Sequence, residues 1–198
     1  MFKRLKKDLQ INIEEKDGQL FLGDKKKDIH LVMLRPNELM EFCEFAGTNA
    51  DDILIWVGKT LGKALMDKYF YNKDWSTENM ATKKEVLLGI LEALILMGYG
   101  ALTGQFRKDH VLINVYESLA KEEQDNIMAK NLCILYLGIF NGLFETLGID
   151  VEGKEIECVL SGDDKCSYKF DLLGEELDDK LVDEEISEEA VSDFLASL

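Results

Sequence analysis

Proline is nearly missing from this chain, which has one, Pro36, in 198 residues. Histidine is almost as scarce: only His30 and His110 occur, and neither has a sequence neighbour that would complete a catalytic triad. No glycine-rich phosphate cradle is present. Gly98-x-Gly100-x3-Gly104 leads into a strand pattern, whereas a dinucleotide loop runs from a strand into a helix. A nucleophile elbow, a paired-carboxylate signature and a kinase set are also lacking. These gaps leave no catalytic residue to nominate.

Positive charge is short as well. The chain carries 23 Lys and Arg against 39 Asp and Glu, a net charge of −16. Phosphate contacts need a basic face, so the folded body is not expected to bind nucleic acid. The start, Met1-Phe2-Lys3-Arg4-Leu5-Lys6-Lys7, is basic and reads as a solvated end. Long hydrophobic runs are missing too. Leu87–Met97 is too short to span a bilayer and is broken by Glu92. No apolar signal core follows the basic start, which predicts a cytoplasmic protein.

What remains is a globular composition, 46% hydrophobic and 31% charged, at a length that suits one domain with additions. The pattern predicts a hairpin over 10–22, with Asp17-Gly18 as its turn and Lys25-Lys26-Lys27 in the charged turn after it. A strand over 29–34 follows. Asn37 should cap a helix that ends at Gly47. A second helix, about 51–70, carries Gly58 and Gly62 four residues apart, which would admit another backbone at close range. Thr82-x2-Glu85 reads as a capping box before a third helix that stops near Gly98. Residues 99–106 and 110–117 alternate as a second hairpin. The last long helix, about 126–147, shows a stripe of Leu132, Leu135, Ile139, Leu143 and Leu147, with Gly138 and Gly142 spaced along it and Gly148 as its stop. Residues 171–198 hold eleven acids and one lysine; here Ser187 can cap a short helix in an amphipathic appendage that docks weakly on the body.

The four cysteines carry the chemistry. Cys43 sits in a helical pattern and reads as a buried small hydrophobe. Cys158 and Cys166 are symmetric about Gly162 in a run that reads as a hairpin turning at Gly162-Asp163-Asp164, so their sulfurs should meet across the strands. They are either two inert strand cysteines, a disulfide if the compartment oxidises, or part of a metal site. Glu155 and Cys133 could complete four ligands, and three sulfurs with one carboxylate suit tetrahedral zinc. Glu157 is the alternative carboxylate. Strict alternation puts Glu155 and Glu157 on the face opposite Cys158, so either must reach around a bend.

Cys133, the glycine-spaced helix and Glu155-x2-Cys158-x7-Cys166 together resemble the V4R (4-vinyl reductase) domain, most strongly over 127–170. The resemblance implies an α+β fold in which an antiparallel sheet packs against several α-helices, a fold shared with Bet3-like subunits of the TRAPP tethering complex. It implies a core domain over 31–172, with 1–30 as an N-terminal hairpin extension and 173–198 as the acidic tail. It implies a structural zinc on Cys133, Glu155, Cys158 and Cys166, a homodimer, and an apolar pocket for a small hydrocarbon-like or aromatic molecule. That pocket would draw on Tyr99, Leu112, Asn114, Tyr116, Tyr136, Phe140 and Phe144, with Asn114 and Tyr116 as polar anchors. Phenol-responsive relatives hold the hydroxyl with a Trp and a His, and no Trp lies between residues 76 and 198 here, so phenol specificity does not transfer. The resemblance also admits a TRAPP-like scaffold, or an accessory to a tetrapyrrole vinyl reductase.

Overall fold

Alternating apolar residues over 101–106, 110–116 and 166–172 give a sheet with one face fit for helices, and that face organises the molecule. The computed structural model describes residues 10–16, 18–23, 29–69, 73–123, 126–174 and 176–197. The expected roles of the basic N-terminal heptad, Asp17 and the Lys25–Lys27 run fall outside the described residues. Strands β4 (Ala101–Phe106), β5 (His110–Tyr116), β6 (Val151–Glu157) and β7 (Cys166–Leu172) pair antiparallel in the order β4-β5-β7-β6. A smaller antiparallel sheet, β1 (Ile11–Glu14), β2 (Gln19–Leu22) and β3 (Ile29–Leu31), precedes it. The third strand extends the expected hairpin, but the chain leaves it at Leu31, so Val32, Met33 and Leu34 are exposed.

Among the described residues five α-helices complete the fold: α1 (Pro36–Ala46), α2 (Ala50–Tyr69), α3 (Met80–Leu96), α4 (Lys130–Leu147) and α5 (Glu188–Ala196). Two expected caps move. Pro36 occupies the first turn of α1, so Arg35 is the cap, and its backbone N–H donates to Glu38 at 2.8 Å. Likewise α3 begins at Met80 because Asn79 Oδ1 accepts from the Thr82 N–H at 2.9 Å, which places Thr82 inside the helix. Helix α4 starts at Lys130 after a 3-10 turn over Ile127–Ala129 and stops at Gly148, whose φ of 60° is the left-handed geometry glycine accepts without strain.

The packing follows from small residues. A Cβ on Gly58 would stand 2.5 Å from the Leu135 carbonyl oxygen, and one on Gly142 2.5 Å from that of Lys59. Gly62 and Gly138 make the same close approach, so α2 and α4 meet backbone to backbone. The α4 stripe Leu132, Leu135, Ile139, Leu143 and Leu147 is buried in the core. Helix α3 covers β4, where Leu88 and Leu91 lie over Gly104, while α4 covers β7 through Phe140 and Phe144. Among the described residues no helix is long and apolar enough to cross a membrane.

The acidic C-terminal segment is strapped to the body more firmly than a weak appendage would be. Leu177 N–H donates to the Lys108 carbonyl at 2.8 Å. Asp183 then pairs with the free edge of β4: its N–H donates to the Phe106 carbonyl, and its carboxylate accepts from the Phe106 N–H, each at 2.8 Å. Lys84 closes the clasp by pairing with the Asp183 carboxylate. Ser187 caps α5 through the Ala190 N–H at 3.2 Å.

Candidate metal centre

Cys133 projects from the first turn of α4, Glu155 from β6, Cys158 from the residue after β6 and Cys166 from the first residue of β7. Their ligand atoms all lie within 4.8 Å of one another. Convergence depends on a β-bulge. Glu155 pairs with Tyr168, and the register then slips so that Glu157 pairs with Ser167. Directly paired residues share a face, so Glu155 joins Tyr168 and Cys166 on the helix side while Glu157 turns to the opposite side. This corrects the alternation argument, which put the two carboxylates on one face. Glu157 is engaged elsewhere: it accepts from the Ser167 hydroxyl and pairs with Lys165 at 2.9 Å. Gly162, at φ 95°, closes the return of the chain, and the Asp163 carboxylate accepts the Cys158 N–H at 2.8 Å.

The donor set fits a tetrahedral ion. Zn–S bonds of about 2.3 Å imply sulfur–sulfur edges near 3.8 Å, and the Cys133 and Cys158 sulfurs are 3.6 Å apart. Glu155 Oε1 is buried with no hydrogen-bond partner among the described residues, an acceptor suited to a cation. The thiols reinforce the point. A hydrogen bond from Cys133 brings the Cys166 thiol down to about 7, against the opposing effect of burial. The same bond is the main reason Cys133 holds its proton far above the ordinary thiol range, with burial adding to it. Burial pushes Cys158 up to about 11, and the charges of Cys166 and Glu155 add to the rise. One thiolate is thus tolerated, and three require a cation among them. Such a centre has closed coordination and ties α4 to the β6–β7 hairpin; it offers no position for a reactive water.

Exposure is uneven around the cluster. Cys133 and Cys166 are buried, whereas Cys158 and Glu155 are half-buried and line an open cleft of about 570 Å³ with Lys130, Leu160, Ser161 and Asp163.

The residues assigned to an apolar pocket divide between the two faces of the sheet. Tyr136, Phe140 and Phe144 are buried on the helix side and form a chain of rings with Tyr168 and Phe170, centroids 4.7 to 6.2 Å apart. Tyr99 joins it edge-on to Tyr136, whose hydroxyl donates to the Tyr99 carbonyl at 2.7 Å. Leu112, Asn114 and Tyr116 lie on the opposite face, in register with Lys169, Ser167 and Ala101. There the Asn114 side-chain amide lies 2.8 Å from the Ser167 hydroxyl oxygen. Tyr168 and Phe170 were not among the expected site residues. Their alternation with Cys166 in Cys166-Ser-Tyr168-Lys-Phe170 was the signal that could have found them, and the Tyr168 hydroxyl donates to the Cys133 carbonyl at 3.1 Å.

No family model matches the sequence, and no curated protein matches it either. Solved structures do. The phenol-responsive sensory domain of the transcription activator PoxR, with phenol, is similar over 100% of this chain and 95% of its own, at 15% identity and a TM-score of 0.63. An H-NOX domain from Shewanella oneidensis is similar over 76% of this chain and 84% of its own, at 14% identity and a TM-score of 0.51. A vinyl-4-reductase family protein from Methanocaldococcus jannaschii overlaps 63% of this chain and 68% of its own at 20% identity, with a TM-score of 0.36 that bears no weight alone. At these identities the likeness is one of fold: this chain has an α+β architecture that it shares with the PoxR sensory domain.

Proposed function

We propose that this protein binds or senses an apolar or aromatic small molecule without transforming it, and that a zinc ion on Cys133, Glu155, Cys158 and Cys166 stabilises the fold. The observation that carries the reading is the convergence of four ligand atoms within 4.8 Å, in a fold shared with a domain described as phenol-responsive. The zinc would hold α4 on the β6–β7 hairpin, so that the ring chain of Tyr136, Phe140 and Phe144, with Tyr99 beside it, keeps one arrangement. A ligand on the helix side of the sheet would part those rings, and Leu112, Asn114 and Tyr116 would act on it only through the sheet. In this reading the binding unit is 31–172, with 1–30 as an N-terminal hairpin extension and 173–198 as the acidic tail. A reducing cytoplasm would keep the thiols available to metal.

A second copy is the expected partner. Nine of the twelve large apolar side chains that stand exposed among the described residues fall between Ile11 and Val57, Phe45 at 91% and Trp56 at 67% among them. Exposed apolar side chains of this kind would be covered if a second copy docked on them. The same surface favours the alternative of a dimeric scaffold with no ligand response.

Native mass spectrometry of protein purified without chelator tests these readings together. A dimer with one zinc per chain and a further small mass supports ligand binding and yields the ligand's formula. A zinc-bearing dimer with no adduct transfers the weight to the scaffold. A metal-free monomer removes both the zinc and the partner.

A further inference from the structure

Among the described residues the cluster opens onto the cleft at Cys158 and Glu155. Cys133 and Cys166 are 2% and 0% exposed, while Cys158 faces the 570 Å³ cleft with its sulfur 3.6 Å from that of Cys133. A reagent arriving from solvent therefore meets Cys158 first, with a second sulfur already in contact behind it. We propose that Cys158 is an oxidant-reactive modification site: a hydroperoxide entering the cleft oxidises Cys158, Cys133 closes a disulfide onto it, and the metal is released. The inference rests on the zinc reading.

The chemistry balances. The Cys158 thiolate attacks one peroxide oxygen; an S–O bond forms, the O–O bond breaks, and the departing hydroxide or alkoxide takes a proton from solvent. The Cys133 thiolate then attacks the Cys158 sulfur. An S–S bond forms, the S–O bond breaks, and the second hydroxide leaves with a proton as water. Two thiolates lose two electrons in all, and the peroxide is reduced by two. Cys166 and Glu155 remain as donors, two where tetrahedral zinc takes four, so the ion departs. Cys158 lies in the short connection between β6 and β7, outside the paired ladder, with its N–H bonded to the Asp163 carboxylate, so a bond to Cys133 forms between a connecting segment and α4. Cys43, buried in α1 and remote in sequence from the cluster, is a reference thiol within the same chain.

The test uses the full chain loaded with zinc and titrated with hydrogen peroxide. Zinc release is read with a chromogenic chelator, thiols are counted, and a peptide map locates the link. The expected result is one zinc released per chain in step with the loss of two thiols, a Cys133–Cys158 cross-link, and recovery on adding reductant and zinc. Brief alkylation of untreated zinc protein should label Cys158 before the other three. A Cys133–Cys166 link, oxidation of Cys43 before zinc leaves, or alkylation that does not begin at Cys158 would overturn the proposal. Zinc that is taken up and then retained under peroxide sinks this inference alone, whereas a chain that takes up no zinc loses the metal reading and this inference with it.

Discussion

Helix α4 is held by two joints of opposite character. On one side it meets α2 through Gly58, Gly62, Gly138 and Gly142, where backbone lies on backbone. On the other it meets the β6–β7 hairpin through Cys133, Glu155, Cys158 and Cys166, where polar donors converge on one point. The glycine joint works by what it leaves out, and its close approach depends on no bound group. The cysteine joint brings together groups that repel one another once ionised, so its strength depends on what is bound there. A protein that must keep a fixed scaffold and still respond to its surroundings gains from having both.

The largest effect should come from filling the glycine joint. A Cβ at Gly138 would lie 2.6 Å from the Ile55 carbonyl oxygen, which is backbone and has no rotamer to yield. Gly138→Leu should therefore cost at least about 3 kcal/mol, more than ordinary overpacking, and should not yield folded protein. A soluble variant with the parental melting temperature would show that the helices separate more easily than their contact implies.

Next comes the cysteine joint, whose signature is conditional. In zinc-loaded protein Cys166→Ser should lower stability by roughly 3 kcal/mol or more, because metal-binding energy is folding energy. After chelation the parent should fall by a similar amount, and the same substitution should then cost under about 1 kcal/mol. Chemical denaturation of the four samples gives the cycle. Equal losses with and without metal would make Cys166 a packing residue and erase the contrast between the joints.

How much of this was legible beforehand depends on whether the information is local. The glycine spacing at Gly58/Gly62 and Gly138/Gly142 is periodic, so the close helix pair could be read from one strand of text. The cysteine set could be proposed from spacing because the hairpin is short. The bulge between Glu155 and Glu157 could not, since it exists only in the pairing of β6 with β7 and shifts one residue against strict alternation. The same limit split the pocket: Asn114 and Phe140 both look like lining residues until strand register assigns them to opposite faces. Caps moved for a local reason, since Pro36 and Asn79 fixed the helix starts two and three residues before the places that composition favoured.

A third joint, weaker than either, ties down the tail. Asp183 holds the β4 edge at Phe106 and pairs with Lys84, whose side chain is 16% exposed. Asp183→Ala removes one acceptor from a partly buried N–H and one partner from a partly buried ammonium, a cost of about 1–2 kcal/mol confined to the strap. Hydrogen exchange should quicken at Phe106 and through 177–183 while α4 keeps its protection. Faster exchange in α4 as well would mean that the strap belongs to the scaffold.

The smallest effect refines the glycine joint itself. Glu145 of α4 reaches Lys63 at 2.9 Å and Lys59 at 3.5 Å, both on α2. The hydrogen bond to Lys63 is the main cause of a carboxyl held below its ordinary value. A carboxyl depressed in the folded state adds stability that is fully present above its unfolded value, about 4.3, and lost as pH falls through the folded one. The Glu145 side chain is 52% exposed, so solvent screens the pair and its contribution should stay under about 0.5 kcal/mol. Glu145→Gln should accordingly leave stability nearly unchanged at neutral pH, and parent and variant should converge as the pH drops below 4. Added salt should shrink the small neutral-pH difference. If the variant instead loses stability on the scale of Gly138→Leu, the α2–α4 joint is electrostatic at heart, and the distinction between an unconditional joint and a conditional one no longer holds.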